Sequence, residues 1–329
     1  MTGDINMKKT AIILLVVFLA FAVLGGCSKT ENNGNENQPA ESATPAPTAD
    51  PNAEAVDISG MEPEDVYEFD PATGTISKFK AAAMGAKDII IPNKISGVDV
   101  KIIGTSAFYG AGLDSVVLPE TLTELGNNAF QENNLTEIVL PDSLRTVGVN
   151  AFAKNKLKTI DFPSGITEIS LGMFRTNELE TITIPETVTI VRRSAFAENI
   201  LVDIVIPASV KQLESFAFTK NQLETVTLNE GLERIDGHVF SNNNISKITF
   251  PSTVKLMGEA TDGASPVNRY NRYTFQTNQL EEITILGSNV EMTPFLLGDN
   301  NFFRDAYNEG GPGTYTGTQD GPWEKVSGN

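Results

Sequence analysis

The sequence predicts a solenoid of stacked 22-residue units, β-rich and elongated, and three columns of residues carry that prediction. A phenylalanine recurs at Phe108, Phe130, Phe152, Phe174, Phe196, Phe218 and Phe240. A proline keeps the same step at Pro119, Pro141, Pro163, Pro185, Pro207 and Pro251, with Asn229 in the one missing slot. A leucine or isoleucine does likewise at Leu113, Leu135, Leu157, Leu179, Leu201, Leu223 and Ile245. Residue types locked to one period of roughly 20–50 residues mark supersecondary units that bury their apolar faces only by stacking.

The chain opens with a leader. Lys8 and Lys9 precede an unbroken apolar run from Ala11 to Leu24, followed by Gly25, Gly26 and Cys27. At about 1.5 Å per residue that run falls short of a ~30 Å hydrocarbon core, so residues 1–26 read as a secretory signal peptide rather than a membrane span. Met7 is an alternative start that shortens the leader. Cys27 is the sole cysteine, so no disulfide forms within the chain. Its place after Leu24-Gly25-Gly26 resembles the bacterial lipoprotein box, which implies lipidation of Cys27. The simpler alternative is a chance thiol. Lipidation would put the protein outside the cytoplasm, anchored to the bacterial membrane and exposed at the cell surface.

Residues 27–61 follow as a tether. Asn, Glu, Pro, Ala and Thr dominate, as in Glu31-Asn32-Asn33 and Thr44-Pro45-Ala46-Pro47. Such a stretch cannot bury enough apolar surface to offset its ordering entropy. Residues 62–107 read as an N-terminal cap with a first irregular unit. Tyr67–Asp70 and Thr73–Ile76 form a hairpin about Pro71-Ala72, and Asp88–Ile91 forms a strand halted by Pro92.

The regular unit, written from Leu135, places Leu135, Ile138, Leu140, Pro141, Leu144, Val147, Gly148, Ala151, Phe152 and Asn155 at fixed offsets. These motifs resemble the BspA-type family of bacterial leucine-rich repeats over roughly residues 66–325. The resemblance implies a leucine-rich-repeat right-handed solenoid of about eight units spanning 108–285. Each turn would hold a parallel strand at Leu-x-x-Ile-x-Leu, a second short strand near Leu-x-x-Val, and a helical turn at Ala-Phe. The residues agree in part: β-branched strand positions suit a parallel sheet. The offsets of Leu122, Leu125, Ala129 and Phe130 fit a short helix equally well.

Further features belong to the ends and corners. An asparagine two before each leucine, from Asn133 to Asn278, is expected to satisfy backbone groups of adjacent turns. The period breaks once: Phe275 follows Phe240 by 35 residues, which places an insertion at 259–271. Arg269 and Tyr270 lie in it, and Arg272 and Tyr273 follow. Insertions in repeats map to loops on one face, and Arg and Tyr are common binding anchors. The insertion either carries such anchors or simply covers the last turn. Residues 286–329 resemble a C-terminal cap, with an amphipathic helix at Phe302–Tyr307 and a hairpin joining Thr314–Thr316 to Trp323.

The whole chain carries 24 Lys and Arg against 42 Asp and Glu, a net charge of −18. Removing the leader takes away Lys8, Lys9 and Asp4, which makes the balance about −19 and argues against nucleic acid as a partner. One histidine, His238, and one cysteine leave no Ser-His-Asp triad, Cys-His pair or histidine zinc site. His238 reads as a variable surface position. Asp299, Asp305 and Asp320 lack the spacing of a calcium loop. A two-carboxylate hydrolase stays open by inventory, though no acidic pair stands out; no enzyme, metal or cofactor is expected.

The outward positions of the first strand, on what the resemblance makes the concave face, include Val139, Thr183, Val205 and Thr227. A Thr/Val face without aromatic platforms suits a flat polypeptide contact better than a sugar. Strand propensity alone explains much of the pattern. The expected function is therefore a surface lipoprotein whose repeats bind a protein or other macromolecule. The competing expectation is an envelope spacer with no soluble ligand. The sequence is silent on oligomeric state.

Overall fold

The computed structural model describes residues 60–258, 274–292, 296–297, 301–318 and 321–327. The leader, Cys27, the tether up to residue 59, Asp299 and Asp320 lie outside the described residues. So do residues 259–273, and with them Arg269, Tyr270, Arg272 and Tyr273.

Each turn of the repeat passes through two strand positions. First strands pair in parallel as Asp88–Ile90 with Ser115–Val117, Asp203–Ile206 with Thr225–Leu228, and Lys247–Phe250 with Glu282–Ile285. In the turns that begin at Leu135, Leu157 and Leu179 this segment is not laddered. It keeps the pleat's alternation all the same: Glu137 and Val139 are exposed while Ile138 and Leu140 are buried. Second strands are only two residues long, from Ile102–Ile103 to Glu291–Met292, and they stack in parallel into two ladders. The strand residues that point inward join one continuous core from Val66 to Trp323.

The corner between the second strand and the next leucine fixes the period. Two residues with left-handed backbone flank each Ala-Phe pair, as with Asn150 (φ 54°) and Lys154 (φ 56°) around Ala151-Phe152. The helical turn expected there is one hydrogen-bonded turn, Ala153 N–H to Asn150 C=O at 3.1 Å. Left-handed residues on both sides stop it from propagating.

Inside the corner the phenylalanine rings form a column. From Phe108 to Phe275, successive centroids lie 4.9–5.9 Å apart and interplanar angles are 3–23°. Parallel rings separated by more than the ~4.8 Å strand spacing are slipped sideways, the arrangement their quadrupoles prefer.

Beside the rings runs the asparagine column, and every copy makes the same bonds. Asn177 accepts from Leu157 N–H at 3.0 Å and donates to the carbonyls of Phe152 and Phe174 at 2.9 and 3.1 Å. Asn133, Asn155, Asn199, Asn221, Asn243 and Asn278 repeat the set. The expected backbone role is the one observed.

His238 corrects an expectation. It is buried at 6% exposure, not a surface residue. Its ring lies flat on Phe216, centroids 4.7 Å apart, and its Nδ1 is 3.1 Å from Ser241 Oγ. Both Phe216 and His238 have left-handed backbone, φ 64° and 61°, and this geometry turns successive side chains at that position onto one another.

The ends differ from the repeats. Tyr67–Asp70 and Thr75–Phe79 form an antiparallel hairpin, and its second strand starts the second-strand ladder against Ile102–Ile103. At the other end, helix Phe302–Gly310 sets Phe303 edge-on to Tyr315 and Trp323. The hairpin Gly313–Gly317 with Trp323–Ser327 adds antiparallel to Glu282–Ile285.

Two substitutions test which contacts hold the stack. Phe174→Ala should lower stability by about 3–5 kcal/mol, since the ring is fully buried between two others. Asn177→Ala leaves the Leu157 N–H unpaired in the core, while the Phe152 and Phe174 carbonyls keep Asn155 and Asn199, and it should cost about 1–3 kcal/mol. Urea unfolding followed by circular dichroism reads both, and a midpoint unchanged in either variant contradicts the assigned role.

Candidate functional site

The first-strand face presents two outward side chains per turn. Its central column runs Ile90, Val117, Val139, Asp161, Thr183, Val205, Thr227 and Thr249, all exposed. Ile90, Val139 and Val205 stand 70%, 58% and 53% exposed, high values for aliphatic side chains on ordered backbone. Register pairs Ile90 with Val117 and Val205 with Thr227. Val139 and Thr183 occupy the same column in the unladdered turns between. The four residues expected on this face therefore share one surface line.

Toward the C-terminus this face forms an open depression of about 560 Å³ floored by Thr225, Thr227, Lys247 and Thr249, with Glu224 and Glu282 beside them. Lys247 Nζ lies 3.4 Å from Glu282, an exposed pair that contributes little to stability. The terminal hairpin continues the face: Thr314 is paired with Thr284, their hydroxyls 2.9 Å apart, and Thr316 with Glu282. The sequence reading missed this extension. Its signal was available, because Thr314-Tyr315-Thr316 repeats the Thr-apolar-Thr alternation of Thr225-Val226-Thr227.

The Arg/Tyr group lies outside the described residues, but the points where the chain leaves and returns are described. Gly258 N–H bonds Ile235 C=O at 2.8 Å at the end of a second strand. Thr274, buried beside Phe275, donates its hydroxyl to Asp236 C=O at 3.4 Å. Both ends belong to the second-strand side of the turn, whereas Val139, Thr183, Val205 and Thr227 belong to the first. The first-strand face and the 259–271 insertion, offered by the sequence as alternative binding regions, thus belong to different parts of the turn where the chain is described.

A polar cluster missed in the sequence lies on that second-strand side. Arg192 bridges Glu168 and Glu214, each at 2.8 Å, across three turns, and both carboxylates hold its guanidinium firmly protonated. Arg234 pairs with Asp236, which is only 3% exposed. Burial pushes the Asp236 carboxyl above the ordinary carboxylate range, against the lowering effect of Arg234. Ser170, Arg192, Glu214 and Asp236 replace the glycine of Gly126 and Gly148, so the broken glycine column was the overlooked signal. Among the described residues no group of three or more His, Cys, Asp or Glu is placed to hold a metal ion.

The protonation of Asp236 is a stability statement. The folded chain holds this proton more tightly than the unfolded chain, so ionisation costs stability as pH rises through the elevated pKa. Asp236→Asn keeps an acceptor for Arg234 and removes the charge. Its urea midpoint should match or exceed the parent's at pH 7, and that advantage should vanish as pH falls below the usual carboxylate range.

A family model described as BspA type Leucine rich repeat region matches residues 77–202 and 189–261, in 6 copies. No curated protein matches the chain. Solved structures that resemble it are bacterial leucine-rich repeat proteins. One from Bacteroides ovatus is 18% identical with a TM-score of 0.33, covering 68% of this chain and 79% of its own. A leucine-rich cell surface protein from Faecalibacterium prausnitzii is 17% identical with a TM-score of 0.36, covering 70% and 96%. One from Eubacterium ventriosum is 16% identical with a TM-score of 0.39, covering 69% and 76%. At these values the likeness bears on neither partner nor activity.

Proposed function

This chain belongs to the BspA type of leucine-rich repeat proteins, and on that footing we propose that it is a cell-surface lipoprotein whose first-strand face binds a protein ligand. Repeats of this type are generally non-enzymatic interaction modules of the cell surface. Among the described residues no helix is long and apolar enough to cross a membrane. Anchoring through a lipidated Cys27 supplies the membrane attachment in this reading, with residues 28–61 as leash.

The observation that carries the proposal is the exposed column itself. Val139 and Val205 expose most of their side-chain surface on a rigid sheet face, with Thr183 and Thr227 in line. A partner that dries such a face gains about 25 cal/mol per Å² of apolar area and meets no flexible side chain that must first be ordered. Arg269, Tyr270, Arg272 and Tyr273 form a second proposed contact.

Capture from surface and matrix proteins by the chain from Met61 tests the assignment. Val139→Asp with Val205→Asp should abolish capture while leaving the unfolding midpoint within about 1 kcal/mol of the parent. Deleting 259–271 separately reports on the Arg/Tyr group. Unchanged capture by the double variant would remove the first-strand face from the reading. The anchor has its own test: Cys27→Ser should release the protein from the membrane fraction and end labelling by radioactive palmitate.

A further inference from the structure

The first-strand face combines two properties that together restrict its partner. Down its middle runs the aliphatic line Ile90, Val117 and Val139, with Val205 further along. On one side stand Asp88 and Glu137, two strands apart, and Asp203 three strands further along in the same outward register. On the other, just past the prolines, stand Glu120, Asp142 and Glu186, all exposed. Three cations lie in or beside this part of the face, and one of them, Arg145, donates to the Asp142 C=O at 2.6 Å. Lys87 turns its ammonium toward Gly112 C=O at 3.4 Å, and Lys158 is exposed.

Covering the aliphatic line necessarily covers the carboxylates beside it. An exposed carboxylate costs nothing in water, but it costs several kcal/mol once desolvated without a counter-charge. A neutral or acidic polypeptide would lose more from the acid rows than it gains from three or four valine-sized contacts, each about 1.5–3 kcal/mol when fully buried. A partner with Lys or Arg on both sides of small apolar groups gains from both. Complementary charge also raises the association rate and rejects like-charged competitors.

We propose that the ligand of this face is a cationic polypeptide segment, with Lys or Arg side chains flanking aliphatic ones, seated on Ile90, Val117 and Val139 between the two carboxylate rows. This rests on the reading of the first-strand face as the binding face and names its partner's chemistry.

The test separates specific docking from the attraction of any polycation to an acidic protein. A labelled peptide of about 12 residues built from Lys, Val and Ser, ~40 Å when extended, is titrated with the full-length chain by fluorescence polarisation. A counterpart with Glu in place of Lys is titrated alongside. One variant carries Glu120→Lys, Glu137→Lys and Glu186→Lys; a second, equal in net charge, carries Glu124→Lys, Glu291→Lys and Glu309→Lys away from this face. The lysine peptide should bind, and the glutamate peptide should not. The face variant should weaken binding at least about tenfold, and the matched variant less than about threefold.

Equal weakening by both variants, or equal binding of both peptides, overturns the proposal. The binding-face reading fails separately, if Val139→Asp with Val205→Asp alters neither peptide binding nor capture of a surface protein. Capture lost in that double variant but untouched by the face charge reversal keeps the face and overturns its cationic ligand.

Discussion

Seven turns of this protein, those of Asn133 to Asn278, are each tied to the preceding turn by one buried primary amide. The asparagine two residues before each leucine accepts from an N–H of the turn before it and donates to two phenylalanine carbonyls, one in each turn. Without its amide the leucine N–H would be buried unsatisfied, and each phenylalanine carbonyl would fall from two asparagine donors to one. Only a side chain with both donors and an acceptor on a short stem serves all three. The stacked rings and the strand ladders depend on this spacer, because it sets the step that brings each ring over the last.

With the step fixed, the outward positions become free of structural duty. Inward residues are nearly invariant in size from turn to turn, whereas Val139, Asp161, Thr183 and Val205 share one column and differ in chemistry. A scaffold of this kind separates what holds it together from what it displays. Function is therefore argued from one face of the sheet, where aliphatic exposure and carboxylates coincide, rather than from a pocket with catalytic groups.

Much of this was legible in the sequence because it depends on identity at a fixed spacing. The phenylalanine, proline and asparagine columns were visible, and the asparagine's role followed from its donor and acceptor count. Residue types that vary along a column were harder to read. Thr176, Glu198 and Phe216 are not residues that announce left-handed backbone, yet each adopts it, at φ 56°, 60° and 64°. His238 looked like a surface residue because its column holds Asn, Ser and Gly elsewhere, whereas in the fold it packs flat on Phe216. The buried Asp236 escaped notice because burial arises from neighbours one turn away, 22 residues distant in sequence. Of the residues expected to bind, Val139, Thr183, Val205 and Thr227 share one surface line, and the Arg/Tyr group lies outside the described residues.

The glycine that follows some of the second strands has a mechanical consequence. At Gly148 an added Cβ would lie 2.5 Å from the Asn127 nitrogen, so this pair of turns closes as it does because the position is bare. Ser170 is the first turn to carry a side chain there; its hydroxyl donates to Val147 C=O, and the second-strand ladder divides at this step. Stability in such arrays is a sum of nearest-neighbour terms, so the weakest interface acts as a boundary between cooperative blocks. Between Val147 and Glu168 the Phe152–Phe174 stack and the three Asn177 bonds continue without a second-strand ladder, so a pull along the axis loads the corner there rather than the sheet. The exposed line of Ile90, Val117 and Val139 lies wholly on the N-terminal side of that step.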